Sequence, residues 1–180
     1  MVIASLTELN LSQNQLFPNG EVPSSKLIGE SFAAGAKVRI KEGYEGELMV
    51  LREANADGNV LLGDPSGIQA IADALRVTAS LTVTDMRYNN LETESATMLA
   101  TVAKEKGISL CGIKPDQTEA NLQGSPGRRM GPTDAILLTA DLAVRPSLTR
   151  LDVKHNPLGE EGEAALRKAS EGRSGFKLLL

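Results

Sequence analysis

The chain has 180 residues, a formal net charge of −4, 41% hydrophobic residues and one cysteine, Cys111. That is one domain's worth of chain with material for a sizeable core. The mild acidity argues against a nucleic-acid surface, and a single cysteine excludes an internal disulfide and points to a reducing compartment. No apolar run approaches membrane-spanning length. Residues 1–6 are too short for the apolar region of a signal peptide and lack a basic flank, so a cytoplasmic location is the expectation.

Taken in chain order, Leu6-Thr7-Glu8-Leu9-Asn10-Leu11 alternates so that Leu9 and Leu11 share one strand face and Glu8 and Asn10 the other. Phe17 to Ser25, with Pro18, Gly20 and Pro23, reads as an irregular connection. Residues 35–63 read as a small antiparallel β-meander. Lys37–Lys41 and Glu47–Leu51 alternate, Asn55-Ala56-Asp57-Gly58-Asn59 supplies an Asp-Gly hairpin turn, and Val60-Leu61-Leu62 follows as a third strand. A meander of this size is marginal alone, so it is expected to be an insert that packs on a larger body. Asp64 and Pro65 suit the N-cap and first position of a helix whose apolar face is Ile68, Ile71, Ala72 and Leu75.

A second strand is expected at Leu81–Met86, then a helix from Glu92 to Lys106 with Met98, Leu99 and Val102 inward and Gly107 as its stop. Ile108–Ile113 reads as an additional strand, and Thr118–Leu122 as another. A helix around Leu138–Val144, a strand at Leu148–Val153, and a helix over Gly159–Ser170 with Ala164, Ala165 and Leu166 inward follow. Phe176–Leu180 makes a last short strand.

Three of these strands repeat one pattern, L-x-x-L-x-L-x-x-N-x-L, starting at Leu6, Leu81 and Leu148 and closing on Asn14, Asn89 and Asn156. The helices before the second and third copies match as well, at the same spacing as the strands. A fourth, degenerate copy over residues 118–122 has Gln117 at the first leucine and Ser125 at the asparagine, and Thr84 stands at a leucine position of the second. The pattern resembles the leucine-rich repeat, and the long, helix-bearing units look like its ribonuclease-inhibitor-type branch. The resemblance implies an α/β solenoid with a parallel sheet inside and helices outside, in one domain spanning 1–180. It assigns Asn14, Asn89 and Asn156 the structural role of bonding backbone groups of the turn after each strand. Because a solenoid needs caps, a chain that starts and stops so close to repeats leaves two readings open: a capped array or part of a longer one.

Chemistry-bearing motifs are weak. Residues 55–59 miss the calcium-loop register and have Ser66 where a closing acid belongs. Gly124-Ser125-Pro126-Gly127-Arg128-Arg129-Met130-Gly131 lacks the Lys-Ser/Thr of a phosphate loop. It reads as a repeat loop, or as a docking loop whose Arg128 and Arg129 meet an acidic partner. Nothing around Cys111 or His155 marks a catalytic pair, and Glu160, Glu161, Glu163 and Lys168 form a solvated helix face. No metal or cofactor is expected.

Outward strand positions of adjacent units would stand in rows: Glu8, Asn10 and Ser12; Val83, Asp85 and Arg87; Glu119, Asn121 and Gln123; Arg150, Asp152 and Lys154, with Tyr88 and His155 just beyond. Interface hot spots favour Tyr and Arg, so Arg87, Tyr88 and Arg150 are the foremost contact candidates, with Glu8, Asn10, Asp85, Asn121, Asp152 and Lys154 around them. The resemblance implies a non-catalytic scaffold that binds a protein partner on the concave strand face. A structural subunit of a larger complex and a GTPase-activating regulator of the same repeat class are the alternatives.

Overall fold

The computed structural model describes residues 6–12, 19–29, 31, 37–41, 48–52, 56–63, 66–89 and 91–180. Asn14, Asp64 and Pro65 lie outside them, so their expected roles have no structural counterpart here. The chain divides into two compact units, residues Leu16–Gln69 and a second formed by Met1–Gln15 with Ala70–Leu180.

In the first unit, β2 (Asn19–Pro23), β3 (Leu27–Ile28), β4 (Lys37–Ile40), β5 (Leu48–Arg52) and β6 (Asn59–Gly63) form an antiparallel sheet in the order β2-β6-β5-β4-β3. The β4-β5-β6 run falls where the meander was expected. The segment read as an irregular connection is instead largely ordered: β2 pairs along the whole of β6, from Asn19 opposite Gly63 to Pro23 opposite Asn59. Pro23 ends that strand because it has no amide to offer the ladder, and a short 3-10 turn at Ser24–Lys26 leads into β3. Gly58, at φ 75°, closes the turn before β6, and its carbonyl accepts the Ser24 amide at 2.9 Å. Leu27 and Val50 are buried.

The second unit carries the repeats. β1 (Glu8–Asn10) lies parallel to β7 (Val83–Asp85), Glu8 opposite Val83. Residues 109–111 run along the other side of β7, where Thr84 N–H donates to Ser109 O at 2.7 Å, Met86 N–H to Leu110 O at 2.8 Å, and Ser109 N–H to Thr82 O at 3.0 Å. The second ladder is β8 (Glu119–Asn121), β9 (Arg150–Asp152) and β10 (Lys177–Leu179), all parallel, with β9 central. Glu119 stands opposite Arg150 and Asn121 opposite Asp152, which is the alignment of the degenerate copy with the third copy. Parallel neighbours need a crossover, and helices α2 (Thr93–Lys106), α3 (Pro132–Val144) and α4 (Gly159–Ser170) supply it, α3 packing between α2 and α4. A further helix, α1 (Ser66–Val77), precedes β7 and buries Ile68, Ala72 and Leu75.

The helices follow local signals. α2 ends where Gly107 takes φ 70°, the left-handed conformation that favours glycine. α3 starts with Pro132, and Asp134 reaches back to the Gly131 amide at 3.0 Å. Leu99, Val102, Leu137, Leu138 and Leu166 form the helical side of the core, and Met86, Leu110, Leu151 and Val153 the strand side, all at most 1% exposed. Two inward assignments differ from expectation. Ala164 is exposed and Ala165 only half-buried, because α4 buries Gly162 and Leu166 instead. A Cβ on Gly162 would stand 2.9 Å from Ala135 Cβ, so α3 and α4 approach closely there and the alanines turn aside.

Backbone groups that stacking removes from water are met by side chains. Asn156 Nδ2 donates to Leu122 O and Val153 O, both at 2.8 Å, while its Oδ1 accepts the Met130 amide at 2.8 Å. Asn89 Nδ2 likewise donates to Leu11 O at 2.8 Å and Met86 O at 2.9 Å. Each asparagine therefore ties its own turn to the exit of the preceding strand. Thr84, at a leucine position, is fully buried and gives its hydroxyl to Ser109 O at 2.7 Å, so the irregular residue is satisfied rather than exposed.

The turn after residues 109–111, which has no repeat asparagine, is held differently. Asp141 of α3, fully buried, accepts from Ser109 Oγ at 2.5 Å, Leu110 N–H at 2.6 Å and Cys111 N–H at 3.0 Å. Arg145 follows on from α3 and donates to Ile113 O at 2.8 Å, Gly107 O at 3.1 Å and Thr82 O at 2.5 Å. One layer on, Arg173 repeats the device with Leu142 O at 2.6 Å, Leu148 O at 2.7 Å and Arg145 O at 2.8 Å.

Two outcomes follow. Asn156→Ala leaves two carbonyls and one amide short of partners, so it is expected to lower stability by about 2–3 kcal/mol, read as a shift of the urea midpoint with unchanged slope. Asp141 gives the second. Burial pushes its carboxyl up from 3.8 to about 6, against the opposing bonds from Ser109, Leu110 and Cys111. A group whose folded pKa is raised contributes stability that is complete below the unfolded value and lost as pH climbs through the folded one. Stability should thus fall by roughly 3 kcal/mol from this group between about pH 4 and pH 6.5, and Asp141→Asn should remove that slope. Carbon-13 NMR checks it directly: a carboxyl midpoint near the ordinary aspartate range would contradict the shift.

Candidate functional site

The parallel strands of the repeat unit place their non-core side chains in two different conditions. β8 keeps the simple alternation, with Glu119 and Asn121 exposed around buried Ala120, and Gln123 exposed beyond it. In β1, Glu8 and Asn10 are exposed around half-buried Leu9. β7 is buried along its length, at Val83, Thr84 and Asp85. The reason is the segment that leaves residues 109–111. A Cβ on Gly112 (φ 76°) would touch Asp85 Oδ2 at 3.4 Å and Arg87 Nη2 at 3.7 Å, and Lys114 Nζ reaches Glu8 Oε1 at 3.1 Å.

Arg87 was the first candidate for an outward contact. It is instead folded onto Asp85, Nε to Oδ1 at 2.8 Å and Nη2 to Oδ2 at 2.5 Å, with side chains only 13% and 10% exposed. Burial alone would lower the guanidinium's pKa, but this two-pronged pairing outweighs it and holds the value above the ordinary one. Asp152 is buried as well. Gln123 Nε2 donates to it at 3.0 Å, and Arg150 and Lys154 approach it at 3.6 Å. Burial would raise the Asp152 carboxyl, yet the Lys154 amide, Gln123 and the Lys154 ammonium together draw it below the usual range. Asp85 and Asp152 are therefore anchors for neighbouring side chains rather than solvent-facing contacts. Sequence spacing placed them on the right strands but could not show that long cations fold back over them.

Tyr88 and His155 occupy matching places, and both take the left-handed conformation, at φ 64° and 63°, which non-glycine residues seldom adopt. Tyr88 N–H is held by Asp134 Oδ1 at 3.2 Å, the carboxylate that also caps α3. Burial raises the Asp134 carboxyl despite the Gly131 and Tyr88 amides. The Tyr88 ring lies near two guanidinium groups, Arg87 at 5.4 Å and Arg128 at 5.5 Å from its centroid. Arg128 and Arg129 are exposed, in a turn that Ser125 and Arg128 close with reciprocal backbone bonds of 3.0 and 2.9 Å. Just before that turn, a Cβ on Gly124 would fall 2.1 Å from His155 O, so only glycine fits there.

These elements border an open cleft of about 270 Å³ lined by Arg87, Tyr88, Asn121, Leu122, Gln123, Ser125 and Arg128. A second, of about 340 Å³, is lined by Glu8, Leu9, Asn10, Val83, Asp85, Arg87 and Gly112. The structure thus brings Arg87, Tyr88, Asn121 and Arg128 to one place, Glu8 and Asn10 to the other, and leaves Arg150 on β9 and Lys154 just past it, both near Asp152. The convergence of Arg128 with Tyr88 had no signal in the sequence, since 40 residues of helix and strand separate them.

Chemically, Asp141, Asp134, Arg87 and Asp152 are committed to structure. Burial pushes the Cys111 thiol well up, which disfavours the nucleophilic thiolate. His155 is exposed at the exit of β9. Among the described residues no cluster of three or more His, Cys, Asp or Glu could hold a metal ion, and no helix is long and apolar enough to cross a membrane.

Two stretches match the Leucine Rich Repeat family, residues 5–27 and residues 145–166. No curated protein matches the chain. The matches fall on the first and third copies of the pattern, over β1 and β9, so these two stretches are similar to leucine-rich repeats. Domains of this class generally mediate protein–protein interaction.

Arg87→Met should cost about 3 kcal/mol, because it leaves the Asp85 carboxylate buried without its cation. Arg128→Gln, on an exposed turn, should change stability by less than about 1 kcal/mol. Parallel urea titrations of the two variants check the ranking, and equal costs would mean that the Asp85 pairing carries little.

Proposed function

We infer that the protein is a non-catalytic recognition module that binds a protein partner across the strand face of its repeats. The observation that carries this reading is the register of β8 with β9. It sets the exposed Glu119 and Asn121 beside Arg150, with Gln123 and Lys154 continuing the rows around the buried Asp152 anchor. Such rows of short and long polar side chains on rigid strands suit a partner surface, whereas Asp141 and Arg145 are spent on internal bonds and Arg87 on Asp85. The reading extends to a ribonuclease-inhibitor-type solenoid in one domain over 1–180, with 35–63 as an insert in its first repeat, working in the cytoplasm and carrying no cofactor. The structural-subunit and GTPase-regulator alternatives have no specific observation in their favour.

Because Arg87 is locked to Asp85, the informative substitutions lie on β8. Affinity capture from the native source, followed by mass spectrometry, should recover a protein with the wild-type chain and lose it with Glu119→Lys/Asn121→Arg. A helix-side control, Glu160→Ala/Lys168→Ala, should retain it. Loss with the control alone would move the binding surface to the helices. Hydrolysis rates measured on a GTPase panel should stay flat, and a stimulated rate would favour the regulator instead.

A further inference from the structure

Resting on the strand-face reading, we propose that the β9–β10 side of that face docks an acidic segment of the partner, its aspartate or glutamate carboxylates taken by Arg150, Lys154 and Lys177. In-register parallel strands gather these cations. Lys177 stands opposite Arg150, and Leu179 opposite Asp152, on strands about 4.8 Å apart. Leu151, between Arg150 and Asp152, is buried, so Lys177 and Leu179 share the outward face with those two.

The cations are held in place without being spent. Asp152 is the buried anchor, and its oxygens already accept from Gln123 Nε2 at 3.0 Å and the Lys154 backbone amide at 3.3 Å. The Arg150 guanidinium and the Lys154 ammonium stand farther off, each 3.6 Å from Oδ2, with both side chains 42% exposed. That is beyond hydrogen-bond length, so their N–H groups keep donors for a second carboxylate. Lys177 is exposed, and among the described residues no acid pairs with it. Even counting Glu119, which flanks the row on β8, cations outnumber acids three to two, on a chain whose net charge is −4. On β7, by contrast, Asp85 and Arg87 cancel each other. Half-buried Leu179 stands in the middle row, so the segment that fits is extended, with an apolar residue between two acids. Asp152 beneath the row repels a concentrated dianion more than single carboxylates spread over three cations, which favours an acidic peptide over a phosphate.

The test uses the nitrogen-15-labelled full chain and three probes: a capped Glu-Gly-Leu-Gly-Glu peptide, its counterpart with Gln at both ends, and inorganic phosphate. The acidic peptide should shift the amides of residues 150–154 and 177–179 and bind more weakly as salt is raised. It should lose about fivefold in affinity in Lys177→Gln, and more in Lys154→Gln/Lys177→Gln. Lys177 has no partner to lose, so its single variant keeps the fold and remains a fair test. Lys104→Gln/Lys106→Gln, at the end of α2, should leave binding whole. Absence of shifts on β9 and β10, equal binding of the Gln peptide, indifference to Lys177→Gln, or phosphate binding more tightly than the acidic peptide would each overturn the proposal. Partner capture separates the two readings. If Glu119→Lys/Asn121→Arg abolishes capture and Lys154→Gln/Lys177→Gln leaves it whole, the strand face stands and the acidic docking falls. If neither variant disturbs capture, both fall.

Discussion

Stacked short strands face one constraint before any other: every turn that follows a strand carries amides and carbonyls that the next layer hides from water. Leaving such groups unpaired costs more than the bonds return when made. Asn156 and Asn89 meet that demand with one amide group each, spending both hydrogens of Nδ2 on carbonyls of two successive turns. Leucines at the alternate strand positions then have a continuous wall to pack against. The apolar core is the larger energy, but it can assemble only where the polar seams are closed.

Where the asparagine is missing, the same demand is met by other chemistry. The turn after residues 109–111 has no such asparagine and is closed by a carboxylate and a guanidinium brought from α3 and its end, Asp141 and Arg145. The cost is an ionisable group with no water around it. The benefit is a turn free to depart from the repeat, and Gly112 does so by lying against Asp85 of β7. The repeat's irregularity and the burial of Asp85 are thus one event.

Much of this fold is legible in the residues. Period-two leucines ending on an asparagine mark β1, β7 and β9. Gly107 marks the end of α2, and the helical spacing of Ile68, Ala72 and Leu75 marks α1. Those signals are local, and local chemistry decides them. What stayed hidden depends on reach across the chain. Asn19–Pro23 reads as a Gly/Pro connection because its partner, β6, is what makes it a strand. Ala164 reads as inward until the tight approach at Gly162 turns α4. The rows of candidate contacts were traceable to their strands, but which of them stays wet was not, because Arg87, Arg150 and Lys154 are long enough to fold onto Asp85 and Asp152. The nearness of Arg128 to Tyr88 is a product of stacking alone.

Arg145 and Arg173 carry a last implication. Each sits after a helix and grips carbonyls that belong to residues earlier in the chain: Thr82 and Gly107 in one case, Leu142 and Leu148 in the other. The cross-links therefore all point backwards, like roof tiles whose upper course pins the one beneath. A hydrogen bond restrains both of its partners, so neither course can lift without costing the other its grip, and adjacent layers should open as one cooperative block.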